Sequence, residues 1–147
     1  MKKDDVSGSR ILLVDDNERG LTARGMILAD HGYVIETAQS GEAAWDLIQK
    51  QHFDVVVTDL RMGEMDGVEL IRRIRATDSP AGIILLSGFI DCLGMTPQST
   101  GADELIRKSN KEVQELLRAV RKLAARPRRK KPASQGRAQA AKGSLAG

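Results

Sequence analysis

With 147 residues, 41% of them apolar and 29% charged, the chain has the size of one domain and enough apolar material for a core, although aromatics supply only 3%. No apolar run approaches the roughly 20 residues of a bilayer span, and residues 1–5 lead into no apolar stretch of the signal-peptide kind, so the cytoplasm is expected and no membrane partner is. The net charge of +3 conceals an asymmetry: residues 126–147 carry seven basic groups and no acid, while the rest carry 16 basic against 20 acidic groups, a net −4.

In chain order, residues 1–9 are expected to be disordered. Arg10 and the run Ile11-Leu12-Leu13-Val14 predict a first strand over 10–14, which ends at the acidic pair Asp15-Asp16. A helix follows near 17–30, with Gly32 as its stop. Gly20 and Gly25 weaken it by up to about 1 kcal/mol each relative to Ala. The second strand falls near 33–37. Ser40 is the expected N-cap of a helix over 40–50, in which Trp45 reads as a packing residue.

Val55-Val56-Val57-Thr58 predicts a third strand near 54–58, running into Asp59. A helix near 67–76 presents Arg72, Arg73 and Arg75 as a solvated face. Ile83-Ile84-Leu85-Leu86 predicts a fourth strand over 82–86, ending at Ser87. The stretch 88–100 is expected to hold at most a short, mobile helix, because Gly94 and Pro97 oppose a regular one and Thr96, Ser99 and Thr100 do not favour it. A fifth strand is read near 103–106. The last helix, near 110–125, aligns Val113, Leu116, Leu117, Val120 and Leu123 on one stripe. Cys92, the single cysteine, excludes an internal disulfide and reads as a small apolar residue. His31 and His52 lack ligand partners. The tail 126–147 is too poor in large apolar groups to bury anything, so it is read as disordered and without a second domain.

Five alternating strand–helix units predict a three-layer α/β fold, a parallel sheet with helices on both faces. Strands of this kind end at one edge, where ligands bind. Asp15, Asp16 and Asp59 all fall at that edge. Three clustered carboxylates repel one another unless a cation neutralises them, and hard oxygen donors suit Mg2+. The chemistry that wants Mg2+ beside a free carboxylate is phosphoryl transfer onto that carboxylate.

From about Arg10 to Ala124 these features resemble the receiver domain of two-component response regulators. The resemblance rests on Asp15-Asp16, on Asp59-Leu60-Arg61-Met62-Gly63-Glu64-Met65-Asp66-Gly67, on Ser87-Gly88, and on Gly101-Ala102-Asp103-Glu104-Leu105-Ile106-Arg107-Lys108. It implies a doubly wound (βα)5 sandwich over 10–125 with flavodoxin-like strand order 2-1-3-4-5. It further implies that Asp59 accepts a phosphoryl group from a sensor histidine kinase or phosphotransfer protein. Mg2+ would be held by Asp16, Asp59 and the backbone carbonyl of Arg61, with Asp15 acting through water. Ser87 and Lys108 would bind phosphoryl oxygens, offsetting the charge that builds there. Helix N-capping is the plain alternative for Asp16.

Three departures from the family pattern are visible. Gly63 and Ser109 stand where proline is usual, and Leu105 stands where an aromatic residue usually turns inward on phosphorylation. Gly63 is expected to loosen the loop beside Asp59, and Phe89 and Arg61 to influence access of water to the acyl phosphate. The reading is of a stand-alone signalling module that promotes only its own phosphorylation and dephosphorylation, with output to another, unknown protein. The competing reading is a nucleic-acid-associated regulator whose basic tail attracts phosphates; no helix-turn-helix or aromatic platform accompanies that tail. A phospho-aspartate hydrolase of similar fold would need a second Asp two residues past its nucleophile, where this chain has Arg61.

Overall fold

A computed structural model describes residues 6–88 and 94–126. Ten elements alternate: β1 (Arg10–Val14), α1 (Glu18–Asp30), β2 (Val34–Ala38), α2 (Gly41–Lys50), β3 (Val55–Asp59), α3 (Gly67–Arg75), β4 (Gly82–Ser87), α4 (Pro97–Thr100), β5 (Glu104–Arg107) and α5 (Glu112–Ala125). The five strands form one parallel sheet in the order β2-β1-β3-β4-β5. This is the fold expected from the sequence. Of the disorder expected over 1–9, residues 1–5 lie outside the described residues, while Val6 is buried in the core and the Gly8 N–H donates to the Gly32 carbonyl at 2.8 Å. The expectations for Phe89 and Cys92 and for the tail beyond Arg126 also lie outside the described residues.

The side-chain period of two along a strand splits the core into two apolar layers. On one face Leu12, Val14, Val56, Ile83 and Leu85 pack with Ala44 of α2 and Leu70, Ile71 and Ile74 of α3. On the other, Ile11, Leu13, Val55, Val57, Ile84 and Leu86 meet Leu21 and Leu28 of α1 and Leu116, Ala119, Val120 and Leu123 of α5. Both faces being covered, β3 and β4 are buried along their whole length, which is why they read as unbroken apolar runs. Each fully buried Leu or Ile contributes roughly 1.5–3 kcal/mol. Trp45 packs half-buried against the first layer, as expected of it.

Helix ends follow local chemistry. Asn17 caps α1 by accepting from the Gly20 N–H at 3.2 Å, Ser40 caps α2 through the Ala43 N–H at 3.0 Å, and Asp66 caps α3 through the Glu69 N–H at 2.9 Å. Gly32, at φ +94°, ends α1. The four-residue α4 is as short as expected, but its residues act otherwise than expected. Pro97 opposes a helix interior but occupies the first helical turn, where its missing N–H costs nothing. Thr96 and Ser99 form a reciprocal capping box: the Ser99 N–H donates to Thr96 Oγ1 at 2.9 Å and the Thr96 N–H to Ser99 Oγ at 3.0 Å. Residues that disfavour helix interiors thus build a helix start.

Arg75 also departs from its expected role. Arg72 and Arg73 pair with Glu69 on the exposed side of α3, but Arg75 turns inward. It donates to the carbonyls of Gly101 and Ala81 and pairs with Asp103 Oδ2 at 2.9 Å. Asp103 also accepts from the Ile83 N–H at 2.8 Å and faces Arg126 at 3.6 Å. One carboxylate therefore joins α3, β4, β5 and the end of α5.

Candidate functional site

Parallel strands deliver their C-terminal ends to one edge of the sheet, and four of those ends carry the predicted site. Asp15 and Asp16 follow β1, Asp59 ends β3, Ser87 ends β4, and Lys108 follows β5. Asp15 is fixed by backbone pairing, its N–H donating to the Ala38 carbonyl at 3.1 Å. Lys108 is placed in the same way: its N–H donates to the Ser87 carbonyl at 2.8 Å, continuing the β4–β5 ladder past Ser87 and Arg107. Gly67 lets α3 start directly behind Asp59. A Cβ there would come within 2.4 Å of the Asp59 carbonyl oxygen and 2.9 Å of Leu85 Cδ1.

Asp15, Asp16 and Asp59 each bring a carboxylate oxygen to within 4.8 Å of the others. Asp15 and Asp59 are buried and Asp16 is exposed. Hard donors converging with one face open to solvent fit a Mg2+ ion that keeps several of its waters. Asp16 is not the helix cap, since Asn17 takes that place, and its carboxylate is left to the cluster. Arg61 is an exposed loop residue two positions beyond Asp59.

Lys108 Nζ lies 2.7 Å from Asp59 Oδ1. Burial raises the Asp59 pKa above the ordinary 3.8; Lys108 opposes that rise and the Asp15 charge adds to it. The Ser87 side chain is fully buried, and its hydroxyl donates to the Gly88 carbonyl at 3.3 Å. Thr58 Oγ1, buried, donates to the Asp59 carbonyl at 2.9 Å.

The loop between β3 and α3 is anchored by the buried side chains of Leu60, Met62 and Met65. Gly63 adopts φ +89° there, a left-handed conformation that proline cannot reach. Its glycine thus serves a defined backbone path rather than simple looseness. Ser109 has a role of its own: its hydroxyl accepts from the Lys111 N–H at 3.1 Å, at the entrance to α5.

One residue at the site went unread in the sequence. Arg24 of α1 pairs with Asp15 Oδ2 at 2.9 Å and Glu112 Oε2 at 2.7 Å. The repulsion expected among the carboxylates is therefore offset by two protein cations, Lys108 and Arg24. Arg24 stands three residues after Leu21 and four before Leu28, on the buried side of α1, but the helix is too weakly amphipathic for its sequence to say which way it faces.

The fold and site define an open, doubly wound α/β protein with an acidic cluster at the carboxyl ends of its strands. The chain belongs to the response regulator receiver domain family, whose description matches residues 11–121. It is 32% identical to a gliding motility regulatory protein of Myxococcus xanthus over 78% of this chain and 15% of that one. It is 34% identical to the response regulator MprA of Mycolicibacterium vanbaalenii over 80% of this chain and 51% of that one. The chain thus spans about half or less of the length of these relatives. Among solved structures, the response regulator protein TrrA of Thermotoga maritima in complex with Mg2+-BeF is 33% identical with a TM-score of 0.69, over 78% of this chain and 98% of that one. Among the described residues, no helix is long and apolar enough to cross a membrane.

Proposed function

We propose that the receiver module, residues 10–125, takes a phosphoryl group onto Asp59 from the phosphohistidine of a sensor histidine kinase or phosphotransfer protein, in the cytoplasm. The observation that carries this reading is Lys108 Nζ at 2.7 Å from Asp59 Oδ1, inside the acidic trio. An Asp59 oxygen attacks phosphorus and the P–N bond to the donor imidazole breaks. The electron pair stays on that nitrogen, which takes up a proton. The product is an acyl phosphate that water later hydrolyses.

Asp59 and Asp16, with the Arg61 carbonyl, would hold Mg2+ directly, and Asp15 would act through a bound water. When bound, the ion supplies positive charge against the transferring oxygens. Lys108 exchanges its contact with Asp59 for a phosphoryl oxygen, and the Ser87 hydroxyl leaves the Gly88 carbonyl to donate to another. Placing cations and donors where charge develops is the main device for such a transfer. The solved relative described with Mg2+-BeF supports the metal assignment. The signal leaves as a change in binding to another protein.

Incubation with Mg2+ and a small phosphodonor, followed by mass spectrometry of the modified peptide, tests the reading. The expected label is on Asp59 and depends on Mg2+. A label elsewhere, or none, overturns it.

A further inference from the structure

Arg24 occupies the inward stripe of α1, where Leu21 and Leu28 are buried. Its side chain is only 13% exposed. A cation there is costly unless it is paired, and this one is paired twice, with Asp15 and with Glu112. Its path to Asp15 depends on Gly20, one turn earlier. A Cβ on residue 20 would lie 2.9 Å from Arg24 Nη1 and 3.2 Å from Asp15 Oδ2. Glycine inside a helix is unfavourable against alanine, and the close approach of this ion pair accounts for its presence. The other Asp15 oxygen, Oδ1, accepts from the Asn17 N–H at 2.9 Å. Both oxygens are thus engaged by the protein itself.

Glu112 begins α5, four residues after Lys108. The loop that carries Lys108 is therefore bracketed by two ion pairs, Lys108 with Asp59 and Glu112 with Arg24. Both lead back to the acidic cluster.

We propose that Arg24 is a positioning residue of the metal site: it holds Asp15 in the metal-free protein, competes with the divalent ion for that carboxylate, and transmits the ion's arrival to α5 through Glu112. The proposal rests on the reading of Asp15, Asp16 and Asp59 as the Mg2+ site. Lys108 and Arg24 together leave one net negative charge on the three carboxylates when all are ionised; without Arg24, two remain. A divalent cation is drawn more strongly to the second arrangement, and a fixed guanidinium near the ion repels it directly. Once the ion shares the Asp15 charge, Arg24 shifts toward Glu112, and the first turn of α5 feels the change.

The test is a Mg2+ titration of the full chain, followed by calorimetry and by backbone amide NMR. Arg24→Gln should bind Mg2+ at least threefold more tightly than wild type. Gly20→Ala should move the affinity in the same direction, because it crowds the contact without deleting a charge. It also raises helix propensity, so it remains a folded probe even if Arg24→Gln does not fold. Arg24→Lys, which keeps the charge, should stay within about twofold of wild type. The amides of residues 110–114 should shift with Mg2+ in wild type and not in Arg24→Gln, while those of 15–17 respond in both. Unchanged or weaker Mg2+ binding in Arg24→Gln and Gly20→Ala overturns the proposal and leaves the metal site standing. No Mg2+ response near Asp15 and Asp16 in wild type overturns the metal site, and the proposal with it.

Discussion

Asp59 is held in an environment that costs the fold something. Burial raises its pKa, and neither Lys108 nor the backbone N–H of Leu60 brings it back to 3.8. The ionised carboxylate therefore opposes folding of the metal-free chain. Asp59→Asn should raise the metal-free melting temperature, weaken Mg2+ binding and abolish acyl-phosphate formation, since the amide is nearly isosteric but a poor nucleophile. Thermal melts with and without Mg2+, together with phosphodonor labelling, check all three. A labelled Asn variant would remove Asp59 from the mechanism. Mg2+ at millimolar concentration should raise the wild-type melting temperature by binding the native state alone, and Asp16→Ala should erase that gain. An equal gain in both would place the ion elsewhere. Asp59 and Ser87 were legible in the sequence because each closes an apolar run that reads as a strand, and strand ends in a parallel sheet converge; Lys108 was reached only through the resemblance to receiver domains. Arg24 was not legible. Its function depends on which way α1 faces and on how near α5 begins, and neither is written locally.

At the scale of elements, legibility tracks burial. The interior strands β1, β3 and β4 announce themselves as apolar runs. The edge strands β2 and β5 pair on one side only and are partly exposed, so they announce themselves less. The one-residue-early boundary of both is shared by the buried β3, so burial marks that a strand is present rather than where it begins. The capping chemistry of α4 was hidden because Thr96, Pro97 and Ser99 were weighed as interior residues. Gly67 shows how closely two elements can be joined: the space for a Cβ is taken by the Asp59 carbonyl and Leu85. Gly67→Ala should cost about 1–3 kcal/mol in a denaturant melt and slow phosphorylation of Asp59. An unaltered melt would show that α3 can back away freely. Asp103 offers a test by pH. Burial alone would raise its pKa, but the Ile83 N–H, Arg75 and Arg126 outweigh burial and hold it below 3.8. A carboxylate depressed in this way stabilises the fold above the unfolded pKa, and that stability is lost as pH falls through the folded value. Asp103→Asn should thus cost roughly 1–3 kcal/mol at neutral pH. The difference from wild type should shrink as pH falls below 3.8. A difference independent of pH would assign the effect to shape rather than charge.

Across the whole molecule, the sheet separates two apolar layers, and the site sits at the edge where both are open to influence. Leu105 belongs to the layer of α2 and α3, lies beside Leu85 in the β4–β5 register, and is half-buried. It has neither a ring to turn inward nor a hydroxyl to exchange partners. Ser87 has both position and chemistry: it is fully buried, next in the ladder to Arg107, and its hydroxyl donates to the Gly88 carbonyl at a long 3.3 Å. A phosphoryl oxygen on Asp59 would outbid that carbonyl, because hydrogen bonds to a charged acceptor are about twice as strong. The hydroxyl would leave Gly88, and the chain after β4 would follow it toward α4, a single capped turn whose C-cap Gly101 is held by Arg75. The signal would therefore start at Ser87 and spread along the backbone. Ser87→Ala should lose most of the chemical-shift response to beryllofluoride in residues 94–101. Leu105→Ala should cost about 2 kcal/mol, the low end for such truncations because the side chain is half-exposed, and keep the response. A full response in Ser87→Ala, with loss of it in a folded Leu105→Ala, would place the switch in the β5 side chain instead.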